Sequence, residues 1–73
     1  AEVAYTSVLS GTVTTVSAVG TVVREGDVLL TVNTLTGPMA AARAQSAGVV
    51  KSVAVGAGST VNAGETVVVV EAE

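Results

Sequence analysis

Very few side chains in this sequence could carry out acid-base or nucleophilic chemistry. Histidine and cysteine are both absent, so neither a catalytic dyad nor a zinc-binding cluster can be built. One pair of neighbouring acids, Glu25 and Asp27, flanks Gly26. Glycine beside such residues is typical of a turn, in which carboxylates satisfy backbone donors. We therefore expect these acids to be structural, no catalytic residue and no metal site, and a chain that is not itself an enzyme.

The remaining charged and aromatic residues indicate an ordinary exposed surface. The net charge is -3, and the only basic residues are Arg24, Arg43 and Lys51. This leaves no cationic stripe that would bind a nucleic acid or an anionic membrane. Lysine side chains are usually exposed, so we expect Lys51 to be a common surface residue. Tyr5, the only aromatic residue, is expected to cap one end of the core with its hydroxyl in water.

The order of glycine, valine and acidic residues in the first half of the chain recurs in the second half. The matched pairs are Gly11 and Gly48, Val13 and Val50, Val16 and Val53, Gly20 and Gly58, Gly26 and Gly64, and Asp27 and Glu65. An extra residue in the second half falls in a glycine-bearing turn, where loops tolerate insertions. Two copies of a strand-turn-strand unit, each too small to bury its own apolar face, can complete one core by packing together.

The composition strongly favours β-strands over helices. Eighteen valines and ten threonines stand beside a single proline. Runs of β-branched residues between glycine turns predict strands at Val13–Val16, Thr21–Val23, Val28–Asn33, Met39–Ala44, Val49–Val55, Thr60–Val61 and Thr66–Glu71, with another at Val3–Val8. Ala40–Ala42 would suit a helical turn by propensity, but the repeat requires a return strand there. Val28–Val32 and Thr66–Val70 are apolar at successive positions, which predicts strands covered on both faces.

A chain of this length forms one domain, residues 1–73, with a core of valine, leucine and alanine. The half repeats span about 8–33 and 45–71, and a hairpin at 33–44 connects them. No apolar run is long enough for a membrane span, so direct membrane insertion is not expected. The lack of cysteine is compatible with the reducing cytoplasm, which is the expected location.

The glycine and valine spacing resembles that of the biotin/lipoyl attachment domains, of the biotin carboxyl carrier type, over about residues 8–71. The residues that carry the resemblance are Gly11-x-Val13-x-x-Val16, Gly20-x-x-Val23-x-x-Gly26-Asp27-x-Leu29-x-x-Val32, Ala47-Gly48-x-Val50, Val61-x-x-Gly64 and a last strand ending in Glu71. The resemblance implies an all-β fold, a flattened barrel or barrel-sandwich hybrid of two four-stranded antiparallel sheets with a pseudo-twofold axis. In that family a tight hairpin between the halves presents a lysine that an enzyme biotinylates or lipoylates.

The hairpin departs from the family pattern. Lipoyl domains have a turn like Val-Glu-Thr-Asp-Lys-Ala and biotinyl domains one like Ala-Met-Lys-Met, whereas this chain has Thr34-Leu35-Thr36-Gly37. The acceptor position is then Thr36, whose hydroxyl is a poor nucleophile without an activating base and would form only a labile ester. No cofactor is therefore expected, and biotin or lipoate would be bound only if the family activity is retained. The spacing after the turn is one residue longer than in the family, so the hairpin is expected to be lengthened or bulged.

Three functional hypotheses follow. The first is a carrier-type domain without the attachment lysine, which acts as an unmodified interaction or assembly module of a carboxylase, decarboxylase or dehydrogenase complex. The second is the lipoyl-like hybrid domain of a membrane-fusion or efflux adaptor, although only about ten residues separate the halves and no coiled-coil heptads are present. The third is a true carrier modified at Lys51. Under the first hypothesis the partners are proteins, and the isolated domain is a monomer.

Overall fold

The computed structural model describes all residues, 1–73, which form eight β-strands and no helix. The strands are β1 (Glu2–Thr6), β2 (Gly11–Val16), β3 (Val22–Val23), β4 (Val28–Thr34), β5 (Gly37–Arg43), β6 (Gly48–Val53), β7 (Thr60–Val61) and β8 (Thr66–Ala72). All eight predicted segments are strands, with ends shifted by at most two residues. The three successive alanines lie in β5, because pairing with β4 outweighs their local helix propensity.

The strands form two four-stranded antiparallel sheets, in the orders β1-β8-β6-β3 and β5-β4-β2-β7. The second order follows from the first when β1 is replaced by β5, β8 by β4, β6 by β2 and β3 by β7. The two halves are therefore related by an approximate twofold axis, and β4 and β8 have the same burial pattern residue by residue. This is the flattened barrel-sandwich fold that the sequence predicted.

Apart from the ring of Tyr5, the core between the sheets is built from small aliphatic side chains. Leu30, Val32, Val61, Val68 and Val70 are completely buried, and other small apolar side chains surround them. Burial of apolar surface stabilises the fold by about 25 cal/mol per Å². Because each side chain is small, this stabilisation comes from many close contacts rather than from a few large side chains.

The successive buried residues of β4 and β8 have a different cause from the one predicted. Thr31 and Val69, which alternate with buried residues in these strands, are only half-buried, so the strands are not fully covered on both faces. Instead, strand pairing skips Leu29 in β4 and Val67 in β8. Such a bulge rotates the chain so that two successive side chains can point into the core. The prediction of cover on both faces was therefore wrong.

The extra residue after the hairpin turn is accommodated as a bulge in β5. Leu30 pairs with Ala42 and Thr31 pairs with Ala40, which leaves Ala41 without a partner in β4. The carbonyl of Ala41 instead accepts a hydrogen bond of 2.8 Å from the Val8 N–H. This bond joins the segment after β1 to β5, and so helps to close the barrel along one side.

Tyr5 differs from its sequence-based prediction. Its side chain is buried, and its hydroxyl accepts a hydrogen bond of 2.9 Å from the Gln45 N–H. The hydroxyl is therefore bound to the backbone, a contact that the sequence did not predict. A buried tyrosine needs a partner for its polar end, and here a backbone group from the other half of the chain provides it.

The hairpin turn and the chain termini lie at opposite ends of the barrel. Val8 bonds Ala41, and Tyr5, earlier in the chain, bonds Gln45, later in the chain. β1 and β5 therefore run in opposite directions side by side, and the start of β1 lies far from the start of β5. Ala1 meets the end of β8 through its carbonyl, which accepts from the N–H of Ala72 at 2.8 Å.

Candidate functional site

The hairpin between β4 and β5 ends in a two-residue turn. Leu35 and Thr36 lie between Thr34 and Gly37, which are paired across the strands. Neither turn residue has a positive φ, whereas Gly37 has a φ of +109°. Turn residues with negative φ do not match the twist of paired strands, and a following glycine in the left-handed region corrects the mismatch. The connecting hairpin is thus present, and its turn is short rather than lengthened.

The side chain of Thr34 holds the turn together. Its Oγ1 donates to the Gly37 carbonyl at 2.7 Å and accepts from the Thr36 N–H at 3.2 Å. These bonds satisfy backbone groups that the short turn would otherwise expose only to water. Thr34 and Gly37, which the sequence placed in the acceptor hairpin, therefore have structural roles.

The outward surface of the turn consists of Leu35 and Thr36. The side chain of Leu35 is fully exposed, without contact to the core. The hydroxyl of Thr36 lies 3.1 Å from Thr34 Oγ1 and 3.9 Å from Met39 Sδ. None of these neighbours is a base, so the turn provides nothing that would activate the Thr36 hydroxyl as a nucleophile. Chemically, the turn offers an apolar side chain and two hydroxyls.

Lys51 lies on a strand and not on a turn. It belongs to β6, in the middle of its sheet, and its Nζ forms a salt bridge and hydrogen bond with Glu2 Oε2 of β1. The carboxylate raises the pKa of the Lys51 amine above its ordinary value, through the hydrogen bond first and the charge second. The same contact lowers the pKa of the Glu2 carboxyl. Both side chains are exposed, so solvent weakens the pair.

One of the paired acids, Asp27, has the structural role in a turn that the sequence predicted. Asp27 Oδ2 accepts from the Arg24 N–H at 2.9 Å, and Glu65 Oε1 accepts from the Asn62 N–H at 3.1 Å. The two contacts occupy equivalent turns of the two halves. The second acid of the first turn, Glu25, is exposed and takes no part in either contact.

A groove of about 820 Å³ lies between β1 and β5. Tyr5, Ala41 and other mainly apolar residues line it, and Glu25 and Arg43 are the only charged residues along it. Arg43 is held by a hydrogen bond of 3.0 Å from its Nη1 to the Gly26 carbonyl. No three residues of the types that ligate metals are grouped anywhere in the chain. The groove therefore does not bring together a nucleophile, a general base and a pair of hydrogen-bond donors.

Comparisons with known proteins agree with this architecture. The family model described as "Biotin-requiring enzyme", that of the biotin/lipoyl attachment domains, matches residues 1–70. A solved structure of a single-chain, multi-domain long-chain acyl-CoA carboxylase is similar with a TM-score of 0.88 at 26% sequence identity. The similarity covers 99% of this chain but only 7% of that carboxylase chain. Among curated proteins, none is similar enough in sequence to count as a match.

These observations define a carrier-type domain with two matched β halves joined by a tight hairpin. The chain belongs to the biotin/lipoyl attachment domain family. The resemblance inferred from the glycine and valine spacing is thereby confirmed. The chain forms no helix long and apolar enough to cross a membrane.

Sequence reasoning missed the partners of two of its candidate residues. Glu2, which binds Lys51, lies at the other end of the chain, and nothing in the local sequence indicates the contact. Gln45, which donates to Tyr5, is equally distant. Only the strand order brings these residues together. β1 lies in the same sheet as β6, whereas β2, the next strand along the chain, lies in the other sheet.

Proposed function

We propose that this chain is a biotin/lipoyl carrier-type domain that carries no cofactor and acts as an interaction or assembly module. Its host would be a complex of the carboxylase, decarboxylase or dehydrogenase type. One observation carries the proposal. The hairpin turn at the family's acceptor site offers Leu35 and Thr36, and no amine.

The residues of the turn do not fit biotin or lipoate. Either group is attached through an amide to a lysine ε-amine, and the hydroxyl of Thr36 cannot form an amide. The turn also lacks a base that would activate this hydroxyl, since its contacts are Thr34 Oγ1 and Met39 Sδ. Thr36 as the equivalent of the acceptor is supported by its place in the turn between the paired residues Thr34 and Gly37.

Modification at Lys51 is disfavoured by its surroundings. A modifying enzyme needs a neutral, accessible amine, and the amine of Lys51 is bound to Glu2 with a raised pKa. The residue also lies on a central strand of its sheet, where a ligase that recognises a hairpin turn would not reach it. Both facts support the view that Lys51 is a surface residue of ordinary function.

The structure gives no reason to favour the adaptor of a membrane-fusion or efflux system. Such adaptors carry a long helical hairpin between the halves, whereas here a two-residue turn joins β4 to β5. The similarity to a carboxylase favours the carrier lineage instead. In that carboxylase the similar part is a small fraction of one long chain, which is the setting expected for a module among catalytic domains.

Intact mass spectrometry after co-expression with a biotin ligase and a lipoyl ligase tests the proposal directly. We expect the unmodified mass with either ligase. An adduct that is lost in the Lys51→Arg variant would show that Lys51 is the acceptor, and it would overturn the proposal. An adduct that persists in this variant would overturn it as well, since it would identify an acceptor elsewhere in the chain.

A second variant asks whether the turn keeps the geometry of an acceptor. Thr36→Lys places an exposed amine at the tip, and we expect it to become a substrate of one of the two ligases. The matched control is Thr60→Lys, which places an exposed amine on a strand outside the hairpin. Modification of both variants, or of neither, would contradict the assignment of Thr36 to the acceptor position.

A further inference from the structure

The approximate twofold axis allows the outer surface around β3 to be compared with the equivalent surface around β7. Val22 pairs with Val49 across β3 and β6, and Thr60 pairs with Thr12 across β7 and β2. Both pairs lie next to a buried valine that occupies the second residue of its short strand. The two surfaces therefore have the same backbone but different side chains.

The turns that precede β3 and β7 are also equivalent. The N–H of Gly20 donates to the carbonyl of Val50, and the N–H of Gly58 donates to the carbonyl of Val13, each at 2.8 Å. The residue before each glycine is exposed, and it is Val19 in the first turn. In the second turn it is alanine.

We call Val19, Val22 and Val49 the valine patch. Their exposed fractions are 64%, 72% and 41%. The equivalent positions of the other sheet hold the exposed residues Ala57, Thr60 and Thr12. The fold thus accepts small or polar residues at all three places, and folding alone does not require exposed valines. Apolar side chains beside an edge strand such as β3 promote contact with another protein, which edges usually avoid.

Opposite charges flank the valine patch. Arg24 directly follows β3, and Glu71 pairs with Val49 across β6 and β8. The equivalent positions of the other sheet hold the neutral residues Asn62 and Asn33. Arg24 forms no ion pair, whereas Glu71 lies 3.9 Å from the terminal amine and its charge also acts on Lys51. An apolar centre with charges of both signs at its rim is the usual anatomy of a specific interface.

We propose that the valine patch binds the same patch of a second copy of this chain, in a dimer with twofold symmetry. A twofold axis through the patch places Arg24 of each copy against Glu71 of the other, so the two charges satisfy each other. The apolar centre is buried in the same contact. No other protein surface is needed to match this charge pattern.

The dimer is expected to be weak. Three valines and two charged residues per copy form a contact at the small end of protein interfaces, with a Kd of about 0.1–1 mM. Dilute protein is then a monomer, as the sequence predicts. In an assembly that holds several copies close together, the effective concentration reaches the millimolar range and the contact forms.

Sedimentation equilibrium of the isolated chain between about 10 μM and about 2 mM tests the dimer. We expect a monomer–dimer equilibrium that the triple variant V19A/V22T/V49T weakens at least about tenfold. This variant carries the residues that the other half uses, so its fold is preserved, and circular dichroism confirms that. The matched control T12A/T60A changes the equivalent surface and leaves the dimer intact.

Charge substitutions distinguish the proposed dimer from non-specific apolar association, because only the dimer depends on the signs of Arg24 and Glu71. Arg24→Glu or Glu71→Arg alone brings like charges together across the dimer and weakens it. The double variant R24E/E71R exchanges the two charges and restores the affinity. A monomer at all concentrations, self-association that the triple variant leaves unchanged, or a double variant as weak as the single ones would each overturn the proposed dimer. None of these results bears on cofactor attachment, which the ligase experiment measures separately by mass.

Discussion

At the scale of single residues, the turn combines a structural threonine, an exposed apolar residue and a glycine with an unusual backbone angle. Thr34 closes the turn through its side chain, and Gly37 supplies the positive φ that joins it to β5. The turn is therefore rigid and tightly specified, even without a cofactor. The shape of the turn therefore depends on Thr34 and Gly37 and not on which side chain stands at position 36.

Replacing Gly37 tests the backbone requirement. Gly37→Ala should lower the free energy of unfolding by about 1–2 kcal/mol, because a side chain disfavours a φ of +109°. Chemical denaturation measures this change. The matched control is Gly56→Ala, since Gly56 has no positive φ and a Cβ there would meet nothing within 4 Å. Equal effects of the two substitutions would contradict the role assigned to Gly37.

The contact between Glu2 and Lys51 should control the reactivity of the only lysine. Glu2→Ala removes both the hydrogen bond and the charge that raise the pKa of the Lys51 amine. The neutral fraction of the amine at pH 8 to 9 should therefore increase, and acylation by a small amine-reactive ester should become faster. Peptide mapping by mass spectrometry separates Lys51 from the terminal amine. An unchanged rate would show that the pair is not maintained in solution.

At the scale of strands, two glycines at equivalent positions allow neighbouring strands of each sheet to approach closely. A Cβ added at Gly48 in β6 would lie 2.8 Å from Val70 Cγ1 and closer still to the Glu71 carbonyl. A Cβ added at Gly11 in β2 would lie 2.8 Å from the Asn33 carbonyl. Both glycines begin a central strand of their sheet, where any side chain would push the neighbouring strand away.

Gly48→Ala should therefore be strongly destabilising. We expect a loss of about 3 kcal/mol or more in the free energy of unfolding, because the nearest atoms belong to backbone and a packed valine that cannot move aside. Gly11→Ala should have a smaller effect of the same sign. Thermal and chemical denaturation provide the values. A Gly48→Ala variant as stable as the Gly56→Ala control would disprove the close approach of β6 and β8.

At the scale of the whole molecule, the twofold axis relates the hairpin turn to the place where the chain begins and ends. Ala1 and Ala72 are joined through two backbone contacts, a hydrogen bond of 2.8 Å and a longer one from the terminal amine. β8 and β1 are therefore neighbours in the same way as β4 and β5. The gap between the end of β8 and the start of β1 is therefore equivalent to the hairpin turn between β4 and β5.

A circular permutant should fold in the same way. In this permutant, a short Asn-Gly linker joins Glu73 to Ala1, and the chain is opened between Leu35 and Thr36. The termini and the hairpin turn thereby exchange places. The new turn is favourable for a tight hairpin, and the opened turn makes no contact with the core. We expect an unchanged circular dichroism spectrum and a loss of about 1–2 kcal/mol, of the size caused by losing a turn that fixes strand register. An unfolded permutant would show that the hairpin is essential for pairing β4 with β5.

The sequence by itself determined the strands, their repeat and the class of fold. β-branched runs and glycine turns are local signals, and a twofold repeat of them can bury a common core in few ways. The residues of the acceptor turn were also readable, because Thr34-Leu35-Thr36-Gly37 is a continuous segment between two strands. The extra residue after the turn predicted a bulge there, but the skip at Leu29 was not readable, since it depends on how β4 pairs with β5.

Only the tertiary structure decided which distant residues meet. Strand order brings Glu2 to Lys51 and Gln45 to Tyr5, and no local pattern encodes contacts across so many residues. The same holds for the valine patch, whose members come from a turn and two strands. Side-chain type and spacing act over a few residues along the chain, whereas the contacts that fix pKa, burial and surface character form only after the two sheets have assembled.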